Sequence, residues 1–503
     1  MNKNKKDITS ARGTIEWLRG QNDLMVVDKE VDPIYEVSGI SKALDGGPAI
    51  LFNKVKGYPG VRITTNVLAN RERIARILGV PSTKDIKLRC LEGLHKQIPP
   101  EVISDAPSQE VIISKDIDVN NTLPILKHTE EDGGRILGGG NTFIWKEGGG
   151  THVGFNRMHY RGRDWGSMSI NLSSHVEYHV LEARKTKSKL PLTINICTSP
   201  AIWLVSGGGM LQLSMPAGSD ELAIAGGIQG APVRIAKAKT VDAYSIADAE
   251  WVIEGFVDTT QVVWETEEAE KLGQDDTADL FPEYTGYMGK ARQTYKFQVT
   301  AITHRKDKPI FYAPMAHSLE SNNLCSPLRE ASFLDVSNKI CPGLVTDVNI
   351  LDSFKSWGGV AIQIKKRRKR DEGYQRNLIL GAFAAATGLR WVVVVDDDVD
   401  IYDAEEILWA LSTRVDPNRD IIINPALRGV DNFPFEKLEA GTLRMGVSAS
   451  VGFDATVPYN VSSKFKVGVY PKVDLKKWLT DEQISKAVAE QTVYARRMAE
   501  KRY

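Results

Sequence analysis

The chain has 503 residues, 42% hydrophobic and 25% charged, the balance of an ordinary multidomain globular protein rather than a disordered one. Lys plus Arg and Asp plus Glu each number 64, so no net charge favours nucleic acid or an anionic membrane, and weak mutual repulsion suits a homo-oligomer. Cys90, Cys197, Cys325 and Cys341 stand far apart in no metal spacing, no apolar signal segment follows the basic N-terminus, and the apolar runs are strand-length, which together predict a cytoplasmic location without a membrane partner.

Residues 1–115 read as an N-terminal α/β unit, with helices at 11–19 and 71–78 and strands at 49–52 and 63–65. Gly79 follows the second helix where a left-handed C-cap belongs. From 116 to 310 the pattern becomes many short strands (142–145, 167–171, 192–197, 233–236, 262–264, 295–304) broken by glycine runs, which predicts a β-barrel or sandwich. Helices are expected to interrupt it at 176–187, 221–226 and 247–254. Residues 311–474 alternate strands and helices as an α/β unit: 328–338 helix, 344–350 and 360–365 strands, 378–387 helix, 391–395 strand, 404–413 helix, 420–424 strand, with a last strand at 463–470. Residues 475–503 carry Thr480 three places before Gln483, a capping pattern, and read as one long helix suited to packing on a neighbouring subunit.

The residues able to carry chemistry concentrate between Leu123 and Tyr287. LPILKHTEEDGG (123–134) gathers His128, Glu130, Glu131 and Asp132 in what is most simply a polar turn. Glycines 148–150 read as a hairpin that puts His152 and Arg157 on the following strand, on opposite faces unless a bulge intervenes. His175 and His179 lie one turn apart on a helix but lack the glutamate of the zinc-peptidase pattern. Glu221 sits at a helix start, where a carboxylate is favoured anyway. The run 202–205 followed by Ser206 and three glycines reads as a strand opening into either an anion cradle or a flexible loop. Glu283, in FPEYTGY (281–287), is a carboxyl among aromatic rings and a candidate proton donor, with Asp279 as its partner. Lys365–Arg370 (KKRRKR) is a polyanion candidate but better read as a solvated loop, and the acidic run 396–400 as loop and helix-capping residues rather than a cation site.

Seven separated motifs, in order, resemble the UbiD family of decarboxylases: LPILKHTEEDGG, HVGFNR, SSHV around His175, SPAIWLVSG, DELAIAGG, PEYTGY, and VVDDDVDIYDAEEILWALSTRVDPNRD (394–420). The resemblance spans residues 10–490. It implies a split β-barrel, flavin reductase-like cofactor domain at 116–310 and an α/β oligomerisation domain at 311–474. It also implies prenylated FMN as cofactor, its phosphate bridged through Mn²⁺ with a nearby K⁺. By motif position His152, His175 and Glu221 become the metal ligands. Phe155, Ser174, Ser206 and Gly207 line the flavin and its phosphate tail. Arg157 reaches both the substrate carboxylate and the cofactor, Glu221 belongs to the cofactor site as well, and Glu283 supplies the proton after CO₂ leaves. The implied activity is reversible non-oxidative decarboxylation of an aromatic or α,β-unsaturated acid through a covalent adduct with the cofactor. A flavin prenyltransferase is then the supplier, and a dimer or hexamer the expected assembly.

Three departures accompany the resemblance. His152 stands where the family usually has asparagine, which moves metal preference towards softer ions. The second acid, usually five residues before the proton donor, falls on Ala278, leaving Asp279 as the substitute. Ser450 replaces a lysine before the Asp-Ala-Thr segment, with Arg444 the candidate to supply the lost contact. Two other functions remain open at this point: an FMN-dependent oxidoreductase on the same barrel, although no dinucleotide fingerprint is visible, and a decarboxylase of a carboxy-aryl coenzyme A thioester gripped by KKRRKR.

Overall fold

The computed structural model describes residues 6–145, 150–170, 174–429 and 447–502. Near the N-terminus, Ser10 caps helix Ala11–Gly20 by accepting from the Gly13 amide. Asn70 caps Arg71–Leu78 in the same way, and Gly79 ends it at φ 73°. These local stops leave three short strands, Leu24–Val27, Ala49–Phe52 and Arg62–Thr65, whose sheet is completed by Ile310–Tyr312 pairing parallel to the third. The chain thus returns from the middle region to finish the first sheet, so the two fold against each other.

The middle region is built on a nine-stranded sheet. Its spine is the antiparallel pair Trp251–Trp264 and Gln293–His304, flanked on one side by Trp165–Met168, Met158–Tyr160 and Ile136–Leu137. Lys189–Ile196, Gly140–Trp145 and Thr151–Phe155 continue the sheet on the other side. Val111–Ile113 also pairs with Gln293–His304. Register shifts at Glu254/Gly255 and Asp258/Val262 bend the spine, as bulges do. No ladder among the described residues joins the two ends of this sheet, so it is curved but not a closed barrel.

Helix Leu319–Ile340, with Pro327 inside it, leads into a five-stranded sheet ordered Val345–Asn349, Gly359–Ile364, Trp391–Asp396, Val447–Ala455, Ile421–Arg428. One continuous apolar core runs from Ala11 through the middle sheet to Val394. The protein is therefore a mixed α/β multidomain fold. No described helix is long and apolar enough to cross a membrane.

Several expectations need correction. Residues 202–205 are not a strand: Pro200–Gly207 is a helix capped by Ser199, every residue of it buried, so burial on all sides removed the amphipathic period that marks a helix. The helix expected at 247–254 is instead the start of strand Trp251–Trp264. Its acidic residues are buried by partners the local sequence does not show: Glu250 takes Arg12 and Arg305, and Glu254 accepts from the Lys239 and Thr240 amides. No strand forms at 463–470; the 3₁₀ turn Tyr459–Phe465 is followed by irregular chain. The long terminal helix is two helices, Asp481–Glu490 and Val493–Arg502, the first opened by the Thr480–Gln483 capping box. Glycines 148 and 149 and Arg444 lie outside the described residues, although the flanking strands Gly140–Trp145 and Thr151–Phe155 do pair antiparallel.

Candidate active site

A cleft enclosing about 1460 Å³ of empty space, open solvent included, lies between the middle sheet, helices His175–Lys185 and Pro200–Gly207, and the start of helix Leu319–Ile340. Its lining is mostly apolar, with a few convergent polar groups, the composition of a small-molecule site. Two polar clusters face into it.

The first joins three elements. His152 is on strand Thr151–Phe155, His175 opens a helix capped by Ser174, and Glu221 opens a helix capped by Asp220. One ligand atom from each lies within 4.8 Å of the others. Glu221 Oε1 is 2.7 Å from His175 Nδ1, and its Oε2 accepts the Val153 amide at 2.7 Å. Burial alone would raise the Glu221 carboxyl, but His152 and His175 beside it bring it down to about 2. The same contact raises His175 above its ordinary value. His152 Nδ1 comes within 3.0 Å of Glu221 Oε2, yet neither ring nitrogen makes a hydrogen bond, although both are buried. Unmade hydrogen bonds on a buried imidazole are costly. Two imidazoles and a carboxylate converging on one point match the donor set of a divalent first-row metal, so the residues present fit such an ion.

The second cluster surrounds Arg157. Strand Thr151–Phe155 ends two residues before it, so the chain turns and brings Arg157 to the same cleft as His152 despite their odd spacing. Arg157 Nη1 donates to Glu283 Oε1 at 2.5 Å, while Nε and Nη2 grip Glu265 at 2.9 and 2.9 Å. Burial opposes the guanidinium charge, but the two carboxylates outweigh it and raise its pKa above the usual arginine value. Glu283 is therefore the ion-pair partner of Arg157 rather than an isolated carboxyl among rings, although Phe281 and Tyr284 do flank it on the cleft wall.

Asp279 does not partner Glu283 or Arg157. Its Oδ1 takes Lys290 Nζ at 2.6 Å from the opposing strand of the hairpin, in a partly exposed pair. Glu265, missed in the sequence, is the second carboxylate in contact with Arg157, and 108 residues separate the two.

Phe155, Ser174, Ser206 and Gly207 all line the cleft. Ser206 Oγ accepts from Asn141 Nδ2. Gly207 is also a packing requirement, since a Cβ there would stand 2.6 Å from the Leu324 carbonyl oxygen. Ser450 lies away from the cleft, its hydroxyl donating to the Leu389 carbonyl. The basic run is tied to its own domain: Lys365 pairs with Asp397, Lys366 donates to Thr456 and Val457, and Arg368 pairs with Asp371. Asp396 and Asp398 take Arg414, and His128 is held by Asp132.

Three parts of the chain match known domains. Residues 15–88, 101–317 and 322–449 correspond to the N-terminal, Rift-related and C-terminal domains of 3-octaprenyl-4-hydroxybenzoate carboxy-lyase. Gallate decarboxylase of Lactiplantibacillus plantarum is 29% identical over 480 residues, covering 90% of this chain and 95% of that one. The apo 3,4-dihydroxybenzoic acid decarboxylase of Enterobacter cloacae superposes with a TM-score of 0.82 at 29% identity, over 94% and 99% of the two chains. The UbiD-class enzyme HmfF of Pelotomaculum thermopropionicum, solved with FMN, gives 0.80 at 30% identity, over 93% and 100%. An evolved dimeric form of that enzyme holds prFMN.

Proposed function

The chain belongs to the UbiD family of carboxy-lyases, and on that premise we propose that it removes CO₂ reversibly from an aromatic acid, with prenylated FMN bound in the cleft. One observation carries the reading: the Arg157–Glu283 pair and the His152–His175–Glu221 cluster line the same cavity, one suited to a carboxylate and the other to a metal ion and a phosphate. We assign residues 116–310 to cofactor binding, with the curved nine-stranded sheet as a split barrel.

When bound, the cofactor supplies an electrophilic centre that accepts the electron pair left as the C–C bond to the carboxylate breaks. His152, His175 and Glu221 would hold a divalent ion, Mn²⁺ the first to test with K⁺ present, which would supply positive charge for the flavin phosphate. Arg157, whose Nε and Nη2 edge grips Glu265, orients the substrate carboxylate through Nη1. Glu265 holds Arg157 in place from the far side. As the carboxylate becomes neutral CO₂, the arginine keeps its charge partnered by Glu265, and Glu283, once protonated from solvent on Oε2, the oxygen that Arg157 does not hold, delivers that proton to the ring carbon in place of CO₂. The apolar wall of Phe155, Phe281 and Leu324 excludes water that would compete as proton source. Exposed Tyr470, Trp478 and Val493 on the C-terminal arm support a homo-oligomer in which that arm is covered by a second copy.

The test is co-expression with a flavin prenyltransferase, mass and visible spectrum of the bound flavin, and CO₂ release from aromatic acids. Glu283→Gln is expected to keep the flavin and lose both turnover and solvent-deuterium exchange into product. Retained activity in that variant would falsify the proton-donor assignment, and plain FMN reduced by NAD(P)H would replace the whole reading with an oxidoreductase.

A further inference from the structure

Asn156 takes no part in the chemistry above, yet its side chain is built into the cleft wall with one end committed and the other not. It is 8% exposed, and its Nδ2 donates to the Ser169 carbonyl at 2.9 Å. A carbonyl only accepts, so the amide cannot be turned round without setting two acceptors face to face. Oδ1 is therefore the free end, buried with no hydrogen-bond partner among the described residues. A buried acceptor in that state is costly and calls for a donor. Ser169 is itself held firmly: its amide donates to the Arg157 carbonyl at 3.0 Å, and its Oγ accepts Arg292 Nη2 at 3.2 Å.

The donor is close by. His152, Gly154 and Asn156 stand at every second residue, and all three line the cleft. A Cβ built on Gly154 would stand 3.1 Å from His152 Nε2 and 3.9 Å from Asn156 Oδ1, so the ring and the amide face one space that the glycine keeps clear. The other ring nitrogen, Nδ1, is turned to Glu221, 3.0 Å from Oε2. A neutral imidazole has one lone pair and one N–H. A metal takes the lone pair, and the remaining nitrogen then carries the proton and needs an acceptor. With the ion on the Glu221 side, that proton belongs on Nε2. An asparagine at 152 would coordinate through its oxygen and raise no question of tautomer; the histidine of this chain does.

We propose that Asn156 Oδ1 accepts the Nε2–H of His152 across the space at Gly154, directly or through one water, and so fixes the tautomer that presents Nδ1 to the ion. Asn156 is then a positioning residue of the metal centre. This rests on the metal-site part of the reading above and deepens it. Through Ser169 and Arg292, whose amide donates to Glu265, the same residue ties the histidine cluster to the arginine network.

The test uses the full chain without flavin and titrates Mn²⁺ and Zn²⁺ separately against a chelator of known affinity. Asn156→Leu, close in size but without an acceptor, should bind both ions roughly tenfold or more weakly, the loss typical when the outer partner of a ligating histidine is removed. Asn156→Asp keeps the acceptor and should bind at least as tightly as wild type. In a His152→Asn background no imidazole is left to orient, so adding Asn156→Leu should change affinity by about twofold or less. Nitrogen-15 spectra of the histidine-labelled Zn²⁺ form, with His152→Asn to assign the ring, should put the metal on Nδ1 and the proton on Nε2; this needs no variant at 156 and keeps the idea testable if Asn156→Leu does not fold. Wild-type affinity in Asn156→Leu, an equal loss in both backgrounds, weaker binding in Asn156→Asp, or metal on Nε2 each overturns the proposal. If His175→Ala and Glu221→Ala bind as wild type does, the metal-site reading itself falls; if they lose the ion while Asn156→Leu keeps it, only the role of Asn156 is wrong.

Discussion

Replacing Glu265 by Gln probes the part of the site that the linear sequence hides. Glu265 offers two oxygens to three donors: Arg157 Nε and Nη2 at 2.9 and 2.9 Å, and the Arg292 amide at 3.0 Å. Glutamine keeps one acceptor and turns an NH₂ towards the remaining donors, so at least one charge-assisted bond is lost. Such a bond contributes about 1.5–3 kcal/mol, and with Glu265 only 2% exposed little water is available to replace it. If half or more of that energy holds Arg157 in its working geometry, about 0.75–3 kcal/mol, kcat/KM falls roughly 4-fold to 150-fold, at 1.36 kcal/mol per tenfold. Metal and flavin content should not change, because Glu265 has no part in the histidine cluster. Asp279→Asn is the matched control: its pair with Lys290 is partly exposed on both sides and contributes about 0–1 kcal/mol, so activity should stay near wild type. The assay is steady-state CO₂ release normalised to flavin absorbance, with thermal unfolding alongside. A Glu265→Gln enzyme within twofold of wild type, or an Asp279→Asn enzyme that loses activity, would refute the assignment of the second acid.

His175→Ala and Glu221→Ala should lose metal and flavin together, read by elemental analysis and absorbance on the purified protein; full loading of both variants would rule out the cluster as the metal site. His152→Asn should still bind a divalent ion but shift preference from softer ions towards Mn²⁺, seen in competition between Mn²⁺ and Zn²⁺. In the metal-free protein, Glu221 is depressed from 4.5 to about 2 and His175 raised above 6.5. The carboxylate contribution is therefore present above 4.5 and lost as pH falls towards 2; the imidazole contribution is present below 6.5 and lost as pH rises through its folded value. The Tm difference between metal-free wild type and His175→Ala should peak between those limits, and the Tm gain on adding Mn²⁺ should grow as pH rises through the raised folded value of His175, beyond which protons stop competing for the imidazole. A Mn²⁺ effect that is flat from pH 6 to 8 would argue against histidine ligation.

Much of the fold was legible because its signals are local. Helix 71–78 is bracketed by Asn70 and Gly79, and the Thr480–Gln483 box opens the helix it predicts, since capping depends on residues three or four apart. Elements failed to read where the environment rather than the neighbours decides. Pro200–Gly207 is apolar on every face because it is enclosed on every face. The first turns of strand Trp251–Trp264 look polar because Glu250 and Glu254 are neutralised by Arg12, Arg305 and backbone amides far along the chain.

The site divides along the same line. The resemblance carried by the order of the motifs pointed to His152, His175, Glu221, Arg157 and Glu283, which line one cleft; taken singly, each reads as an ordinary strand, helix-start or turn residue. Which acid completes the arginine network was not legible, because Glu265 meets Arg157 across 108 residues of chain, and the acid nearest Glu283 in sequence, Asp279, is taken by Lys290. Asn156 is a sharper case. In the sequence it is one amide between Phe155 and Arg157; only tertiary packing commits its Nδ2 to Ser169 and leaves its Oδ1 buried beside the His152 ring. Local residue chemistry determined which groups the chain possesses, and long-range packing decided which of them are left with an unmet need for a partner.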